Sequence, residues 1–288
     1  MRLSLFPILI SITILNSGCF TRWVMSEKEI RQHYAQKTSK PVYFTIMNDS
    51  VELFCAATGS DTLPPLILIH GAPGGWFSNI GMLDDPELQK QFHIIAVDRP
   101  GYRKSKFRDK KYPQTSIELQ ATAIQEALRL NRSGKKGVLY GNSYGAPIAL
   151  KIAADHPDEF YHLVLTAGAF DPDNEKFWWF HRFSRGLFVR LSMPRFINTA
   201  TNEKFAHTNE LKKLLPYWSK ITIPVTVIQG TEDHIVPVAN FEFARRQLTN
   251  TKAEFILIEG AGHLVRRSHP DVIRRAILQR VQPEPLNH

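Results

Sequence analysis

The stretch VLYGNSYGAPIAL, from Val138 to Leu150, passes from an apolar run into a pattern typical of a helix. Gly141, Ser143 and Gly145 alternate around the point where the two meet. Two interpretations fit: a turn that only needs small residues, or a turn built to expose one hydroxyl. A lone G-x-S-x-G is a weak signal. Its place after an apolar strand and before a helix favours the second interpretation, because developing negative charge is stabilised near a helix N-terminus.

Strand-like apolar runs recur along the rest of the chain, and helical patterns separate them. From the third run onward the strands are nearly continuously apolar, as expected for parallel strands covered on both faces. The first two runs predict an antiparallel hairpin through NDS. We therefore predict an α/β fold: a mostly parallel, eight-stranded sheet with helices on both faces. The predicted strands cover residues 41–47, 51–58, 66–71, 93–98, 137–142, 162–168, 225–230 and 254–260, and the main helices 116–130, 144–156, 241–248 and 270–281.

The alternation of strands and helices stops between residues 171 and 219. This segment is rich in aromatic and basic residues and has no strand pattern, but helical spacing recurs at 174–191 and 203–214. We expect a helical lobe, residues 171–219, inserted after the sixth strand. The main domain would then comprise residues 41–170 and 220–288.

The N-terminus has the layout of a secretory signal. Arg2 precedes an apolar stretch that ends at Leu15, and small residues lead to Cys19. LNSGC resembles the end of a lipoprotein signal, which predicts a signal peptide over residues 1–18, lipidation of Cys19 and a polar tether over residues 19–40. An ordinary export signal or an uncleaved anchor is the alternative. Either predicts an exported protein of a bacterial cell envelope, attached to a membrane by the lipid or the anchor.

Composition narrows the remaining classes of function. The net charge is +9, but the basic residues form scattered pairs and no nucleic-acid motif accompanies them, which argues against nucleic-acid binding. Two cysteines give no disulfide framework if Cys19 carries lipid, and Cys55, in the alternating run VELFCAAT, is predicted to be a small buried hydrophobe. We expect neither a cofactor nor a metal, and the sequence does not predict the oligomeric state.

A serine of ordinary acidity needs a base, and the base needs an orienting acid. His263 directly follows the last predicted strand and Asp233 follows the seventh, so both are expected at the sheet edge where Ser143 lies. The order Ser143, Asp233, His263 is that of serine hydrolases built on such a sheet. Asp171 is the reserve acid, and Asp98 is expected to shape the loop DRPGYRKS.

A tetrahedral intermediate also needs amide donors for its oxyanion. HGAPGGW, residues 70–76, follows the third strand with glycines that let backbone N–H groups face a ligand. We predict the backbone amides of Ala72 and Tyr144 as the donors, and His70 as a partner within its own loop. A phosphate cradle is the alternative, but the G-K-[ST] ending that it requires is missing.

Together these motifs resemble the α/β-hydrolase superfamily. HGAPGG, DRPGYRKS, GNSYGAPIAL, QGTEDHIVP and GAGH occur in the family's order, across about residues 42–280. The resemblance implies that the inserted lobe is the family's cap over the active site, and serine at position 143 argues against the epoxide-hydrolase and haloalkane-dehalogenase branches. HGAPGG is similar to the HGGPGG of proline iminopeptidases, which hold a substrate amine with cap acids. Glu175, Glu203 and Glu210 are candidates here.

The leading hypothesis is a carboxylesterase that cleaves a small or medium ester through Ser143, His263, Asp233 and an acyl-enzyme. An aminopeptidase similar to proline iminopeptidases, or an amidase, is the runner-up. A non-catalytic binding lipoprotein on the same fold is the alternative from another class. An apolar acyl group would suit four candidate pocket residues, whose other reading is a small core of the cap: Trp76, Trp178, Trp179 and Phe183.

Overall fold

The computed structural model of the chain describes residues 24–109, 111, 114–175 and 186–279. The described residues before Pro41 form one compact unit, and those from Pro41 onward form a second. Helix α1, Glu27–Tyr34, belongs to the first unit. Ser26 caps it: its hydroxyl accepts the Glu29 amide at 3.2 Å, and the Glu29 carboxylate accepts the Ser26 amide at 2.6 Å. The sequence predicts a polar tether here, and part of it is helical.

A single sheet organises the second unit, and its strands follow the apolar runs of the sequence. The described strands are β1 (Val42–Met47), β2 (Val51–Thr58), β3 (Pro65–Ile69), β4 (His93–Val97), β5 (Lys106–Phe107), β6 (Gly137–Asn142), β7 (Phe160–Thr166), β8 (Val225–Gly230) and β9 (Ala253–Ile258). Their order is β1-β2-β4-β3-β6-β7-β8-β9, and β5 pairs with β2. β5 is an addition to the eight predicted strands, and two residues are too few to show a hydrophobic period.

The direction of the strands agrees with the sequence pattern. β1 and β2 form the predicted antiparallel hairpin, and β2 also pairs antiparallel with β4. All pairs from β4 across β3, β6, β7 and β8 to β9 are parallel. β3, β4 and β6 are buried along their whole length, which explains their continuous apolar character. The predicted α/β fold with a mostly parallel sheet is confirmed.

Helices lie in the connections between these strands and after β9. They are α2 (Ile80–Leu83), α3 (Pro86–Gln91), α4 (Ile117–Ile124), α5 (Gly145–Asp155), α6 (Leu187–Ser192), α7 (Arg195–Trp218), α8 (Ala239–Gln247), α9 (Val265–Ser268) and α10 (Pro270–Leu278). Segment 116–130, predicted as one helix, is α4 followed by a 3₁₀ helix, Gln125–Leu130. The Ser116 hydroxyl caps α4 by accepting the Leu119 amide at 3.2 Å.

Between β7 and β8 the structure places α6 and the long helix α7. α7 begins eight residues before the predicted helix 203–214, because its first turns have partners that no local pattern reveals. The Thr199 hydroxyl, for example, lies 3.3 Å from the carbonyl oxygen of Gly101. Residues 176–185 of the other predicted helix lie outside the described residues, so the limits of the inserted lobe stay a prediction.

The core of the second unit lies where the sheet meets α4, α5 and α7, with α5 packed against both of the other helices. Cys55 is fully buried there and free, as its sequence predicts. Because β3, β6, β8 and β9 run parallel, their carboxyl ends lie at one edge of the sheet, and the loops that carry the predicted site residues start there. Among the helices that the structure describes, none combines the length and apolarity needed to cross a membrane.

Candidate active site

Ser143 occupies a sharp turn between β6 and α5. Its φ is +53°, in the left-handed region that residues with a side chain rarely adopt. Its amide donates to the carbonyl of Thr166 on β7 at 2.9 Å, and its own carbonyl accepts the amide of Ala146 at 3.0 Å. The strand and the helix therefore hold both sides of the turn, and Ser143 remains 9% exposed.

Glycines surround this turn because other backbone segments approach it closely. A Cβ atom on Gly145 would lie 2.6 Å from the carbonyl oxygens of Ile69 and His70. On Gly141 it would lie 2.7 Å from the Cα atom of Ala146, and on Gly71 it would lie 2.9 Å from the Cβ of Ser143. These distances are shorter than side chains tolerate. The alternating glycines thus allow the third-strand loop, the turn and the helix to converge on the serine.

His263 and Asp233 reach this turn from the loops after β9 and β8. The Nε2 atom of His263 lies 3.1 Å from the Ser143 Oγ, and its Nδ1 atom lies 2.7 Å from the Asp233 Oδ2. Because the ionised carboxylate can only accept, the tautomer with a proton on Nδ1 fits, and it leaves the Nε2 lone pair facing the serine hydroxyl. The structure thus brings together the three side chains that the sequence selects.

The Asp233 carboxylate is held by more than the histidine. Its Oδ1 accepts the backbone amides of Ile235 at 2.9 Å and Val236 at 2.8 Å. Its Oδ2 also accepts the side-chain amide of Gln229 at 2.9 Å. These donors fix the orientation of the carboxylate toward His263.

Asp171, the reserve acid, is committed elsewhere. Its two carboxylate oxygens accept the Asp173 amide at 2.9 Å and the Asn174 side chain at 2.7 Å. It therefore holds its own turn rather than a histidine.

His70 begins the loop after β3 and is completely buried. Burial, with the nearby Arg99 charge, holds the pKa of His70 well below its usual value. The neutral ring fits its two partners: Nδ1–H donates to the Gly71 carbonyl at 2.7 Å, and Nε2 accepts the Arg99 amide at 3.0 Å. His70 thus serves its own loop, as the sequence suggests.

The two predicted oxyanion donors lie on either side of the serine turn. Ala72 follows Gly71, which packs against Ser143, and Tyr144 precedes the first residue of α5. Within the described residues, neither backbone amide has a hydrogen-bond acceptor. Both are therefore available to a ligand, which is the first requirement of an oxyanion site.

Asp98 lies behind the glycine loop and joins it to the loop after β4. Its carboxylate accepts the amides of Trp76 at 2.8 Å and of Lys104 at 3.4 Å, which matches the loop-shaping role expected for it. Burial raises the pKa of Asp98 to about 7 despite these donors.

The candidate pocket residues are only partly within the described chain. The ring of Trp76 is buried and lies 5.6 Å from the ring of Tyr43 and 6.4 Å from that of Phe77. The other three candidates, Trp178, Trp179 and Phe183, lie outside the described residues.

The first of the three candidate acids for an amine, Glu203 on α7, is completely buried and paired with Arg99. Its carboxylate receives two guanidinium nitrogens at 2.6 and 3.0 Å. The Tyr102 hydroxyl and the Gln120 side chain donate to the same carboxylate at 2.5 and 3.0 Å. Arg99 stands in the motif DRPGYRKS, but nothing in the motif marks it as the partner of a residue 104 positions later.

The other two acids are also occupied. The Glu175 carboxylate accepts from the Nδ1 of His207 at 2.7 Å and from Lys204, and although burial acts against it, these partners lower the pKa of Glu175 to about 2. Glu210 accepts the Lys213 ammonium at 2.6 Å and the Ile117 amide at 3.0 Å. Each of these three acids therefore already has a protein cation.

No cluster of three side chains able to ligate a metal occurs in the part of the chain that the structure describes.

Known proteins are similar to this chain in sequence or in fold. A pimeloyl-(acyl-carrier protein) methyl ester esterase of Neisseria meningitidis is 25% identical over 253 residues, which cover 73% of this chain and 91% of that protein. A proline iminopeptidase of Lactobacillus helveticus is 26% identical over 253 residues, covering 70% and 84% of the two chains. Among solved structures, a bacterial membrane phospholipase A superposes with a TM-score of 0.66 at 19% identity, covering 97% of this chain and 98% of its own, which shows the shared fold.

A family model adds the last comparison. The model described as the alpha/beta hydrolase family matches residues 66–276, a span that contains Ser143, Asp233 and His263. With the fold and most of the chain's length in agreement, the chain belongs to the α/β hydrolase family.

Proposed function

We propose that the protein is a serine carboxylesterase that hydrolyses a small or medium ester through an acyl-enzyme. The observation that carries this proposal is the continuous contact from Ser143 Oγ to His263 Nε2 at 3.1 Å and from His263 Nδ1 to Asp233 Oδ2 at 2.7 Å. A hydroxyl, a basic nitrogen and a fixed carboxylate in this order form a proton-transfer chain that activates a serine.

In the acylation step, His263 Nε2 takes the proton of Ser143 as Oγ attacks the ester carbonyl carbon. The carbonyl oxygen becomes negatively charged and is bound by the amides of Ala72 and Tyr144. The imidazolium, stabilised by Asp233, then gives its proton to the departing alcohol, and the acyl group stays on Ser143.

In the deacylation step, His263 takes a proton from water as the water oxygen attacks the acyl carbon. The same two amides bind the second oxyanion, and Ser143 recovers its proton as the carboxylic acid leaves. Removing one oxyanion donor from such a site costs about 10²–10³ in kcat.

The ester is preferred to an amine-bearing peptide because the cap acids have no free charge for a cation. Glu175, Glu203 and Glu210 are paired with Lys204 and His207, with Arg99, and with Lys213. The methyl ester esterase among the relatives acts on an ester, which is in keeping with this choice. Trp76, Trp178, Trp179 and Phe183 stay candidates for the acyl pocket.

The test is labelling with a fluorophosphonate, which reacts only with an activated serine. Wild type is expected to be labelled, whereas Ser143→Ala and His263→Ala, folded by circular dichroism, are not. Labelled wild type should also hydrolyse p-nitrophenyl esters at least tenfold faster than prolyl p-nitroanilide. A folded wild type without labelling would contradict an enzymatic function, and faster cleavage of the prolyl substrate would favour the aminopeptidase.

We further propose that the protein is exported and anchored in a bacterial cell envelope through lipid on Cys19. The support is the sequence alone: a basic start, an apolar stretch and small residues that end at the cysteine. Radiolabelled palmitate should enter the wild type and the Cys55→Ala variant, but not Cys19→Ser. Equal incorporation in all three, or none in wild type, would contradict the anchor.

A further inference from the structure

We propose that Arg99 and Glu203 are positioning residues, which orient the oxyanion-binding amide of Ala72 by holding the Gly71 carbonyl. This inference rests on the proposed function of Ser143. The Gly71 carbonyl oxygen accepts two hydrogen bonds, from the Nδ1 of His70 at 2.7 Å and from the Nη2 of Arg99 at 3.2 Å. All the donors are buried, so neither bond competes with water.

Holding this carbonyl sets the direction of the next amide. The peptide bond between Gly71 and Ala72 is trans, so its C=O and N–H groups point in opposite directions within one plane. With the carbonyl oxygen turned toward His70 and Arg99, the Ala72 N–H lies on the other side of the peptide. That N–H has no acceptor among the described residues, which leaves it for the substrate.

Arg99 can hold the carbonyl because its own guanidinium is fixed. Two nitrogens form a fork with the Glu203 carboxylate, and Nη1 also donates to Gln120 Oε1 at 2.6 Å. A second donor to Glu203, the Tyr102 hydroxyl, fixes the carboxylate in turn. A planar guanidinium bound in this way keeps one orientation, which a flexible lysine would not.

The same guanidinium also contacts the residue that supplies the other oxyanion amide. It lies 4.6 Å from the ring centre of Tyr102 and 4.8 Å from that of Tyr144. The Tyr144 ring also stacks on His207 of α7, at a distance of 4.5 Å between ring centres. Arg99 thus touches the Gly71–Ala72 peptide and the side chain of Tyr144, the two residues that bind the oxyanion in the proposed mechanism.

These contacts link α7 to the chemistry at Ser143. Glu203 and His207 both project from α7, and neither approaches the substrate carbonyl in the proposed mechanism. Their effect would pass through Arg99 and Tyr144 to the two amides. A misplaced amide weakens transition-state binding while ground-state binding of the ester is unchanged, so the signature is a fall in kcat at constant KM.

The test compares Arg99→Lys with wild type on a p-nitrophenyl ester and on a trifluoromethyl ketone with the same acyl group. Lysine keeps a cation beside Glu203 but cannot also form the fork and reach Gly71. We expect kcat to fall about 10- to 100-fold, less than or equal to the loss of a whole donor. KM should stay within twofold. The inhibition constant of the ketone, which becomes an oxyanion on Ser143, should rise by the same factor as kcat falls.

Two further variants separate positioning from folding. Glu203→Gln keeps the shape of the side chain but replaces one acceptor oxygen with an NH₂ group, which cannot accept a hydrogen bond from Arg99. Because the other oxygen still accepts, the variant should give the same pattern with a smaller loss. Glu210→Gln is the matched control: the same substitution on the same helix, at a buried acid that does not contact Arg99, should leave kcat and the ketone constant unchanged. Thermal unfolding of each variant verifies the fold.

Folded Arg99→Lys with the wild-type kcat and ketone constant would overturn the inference, as would equal losses in Glu203→Gln and Glu210→Gln. Both outcomes require that wild type reacts with the fluorophosphonate, so they leave the proposed function standing. If wild type does not react, the proposed function fails, and this inference fails with it.

Discussion

Two hydrogen-bond networks converge on the Ser143 turn, and they differ in their exposure to water. The first network contains Asp233 and His263, and the second contains Glu203 and Arg99. Asp233 and His263 come from the ends of β8 and β9, and the His263 side chain is 10% exposed. Glu203 and Arg99 come from α7 and the loop after β4, and both side chains are completely buried. The first network ends at the Ser143 hydroxyl, and the second ends at the backbone carbonyl of Gly71.

The two networks also differ in their nitrogen-bearing side chain, which is an imidazole in the first and a guanidinium in the second. An imidazole between a carboxylate and a hydroxyl can accept a proton at one ring nitrogen while the other ring nitrogen donates to the carboxylate. A guanidinium keeps its proton at all relevant pH values and binds in a fixed plane. The first network is therefore suited to transfer a proton and the second to keep a peptide in place, although each contains a carboxylate and a nitrogen-bearing side chain.

The largest effect is expected in the first network, from the substitution Asp233→Asn. Asparagine fits the site but presents an amide to His263 and favours the wrong tautomer, so kcat should fall about 10⁴-fold with little change in fold. Steady-state hydrolysis of a p-nitrophenyl ester measures this. Asp171→Asn is the matched control, because Asp171 holds only its own turn, and it should keep wild-type kcat. A larger loss in Asp171→Asn would transfer the acid's role to that residue.

Asp98, the residue before Arg99 of the second network, should make the free energy of unfolding depend on pH. Its pKa rises from 3.8 in its ordinary state to about 7 in the folded protein, so between these values the folded state binds the proton more tightly than the unfolded state. Stability from this group is complete below about pH 4, declines as the pH rises and is lost above about pH 7. Between pH 5 and 8 the loss is roughly 3 kcal/mol.

Asp98→Asn removes this titration and keeps an acceptor for the Trp76 amide. Urea unfolding at pH 5 and pH 8 should give a smaller difference in the free energy of unfolding for the variant than for wild type. Equal pH dependence in the two proteins would show that Asp98 titrates normally.

Gly145→Ala tests the close backbone packing at the Ser143 turn, where the two networks meet. The added methyl would lie 2.6 Å from the carbonyl oxygens of Ile69 and His70, which are backbone atoms and cannot rotate away. We expect a loss of about 2 kcal/mol in the free energy of unfolding and slower fluorophosphonate labelling, since the glycine loop must move. Gly81→Ala, in α2 where a methyl meets nothing within 4 Å, should leave the labelling rate unchanged and should not lower the free energy of unfolding, because alanine favours a helix more than glycine does. The same loss in both variants would contradict the close contact at Gly145 as its cause.

The smallest effect is expected at an ion pair on α7 whose lysine faces water, although its acid is buried. The Lys213 side chain is 70% exposed, and its pair with Glu210 lies ten residues or fewer from the buried Arg99–Glu203 pair along the helix. Lys213→Met should change the free energy of unfolding by less than about 0.5 kcal/mol and leave kcat unchanged. A change above 1 kcal/mol in chemical denaturation would mean that exposure does not separate the two pairs.

The sequence predicts the first network, Asp233 and His263, better than the second, Glu203 and Arg99, for a physical reason. The ends of parallel strands lie at one edge, so residues that directly follow β6, β8 and β9 are expected near one another, as the positions of Ser143, Asp233 and His263 bear out. Apolar runs likewise predicted the strands, because buried strands leave a local signal in every residue.

The second network leaves no such local pattern in the sequence. Glu203 lies within an amphipathic helix, where a charged residue is typical of a solvated face, and it was expected to be available for a substrate amine. Its partner, Arg99, is supplied by the packing of α7 against the loop after β4, which no local pattern encodes. The early start of α7 at Arg195 has the same origin, since Thr199 contacts Gly101.

The backbone of Ser143 has a consequence for how this chain can change over generations. Its φ of +53° costs about 1–2 kcal/mol for a residue with a Cβ atom, and glycine would occupy the same turn without that cost. Substitutions that raise stability at this position therefore lead away from the hydroxyl. Without a requirement for the hydroxyl, a glycine here would give a more stable and inert turn. A serine kept in this conformation is a residue that selection for chemistry, rather than for folding, has to maintain.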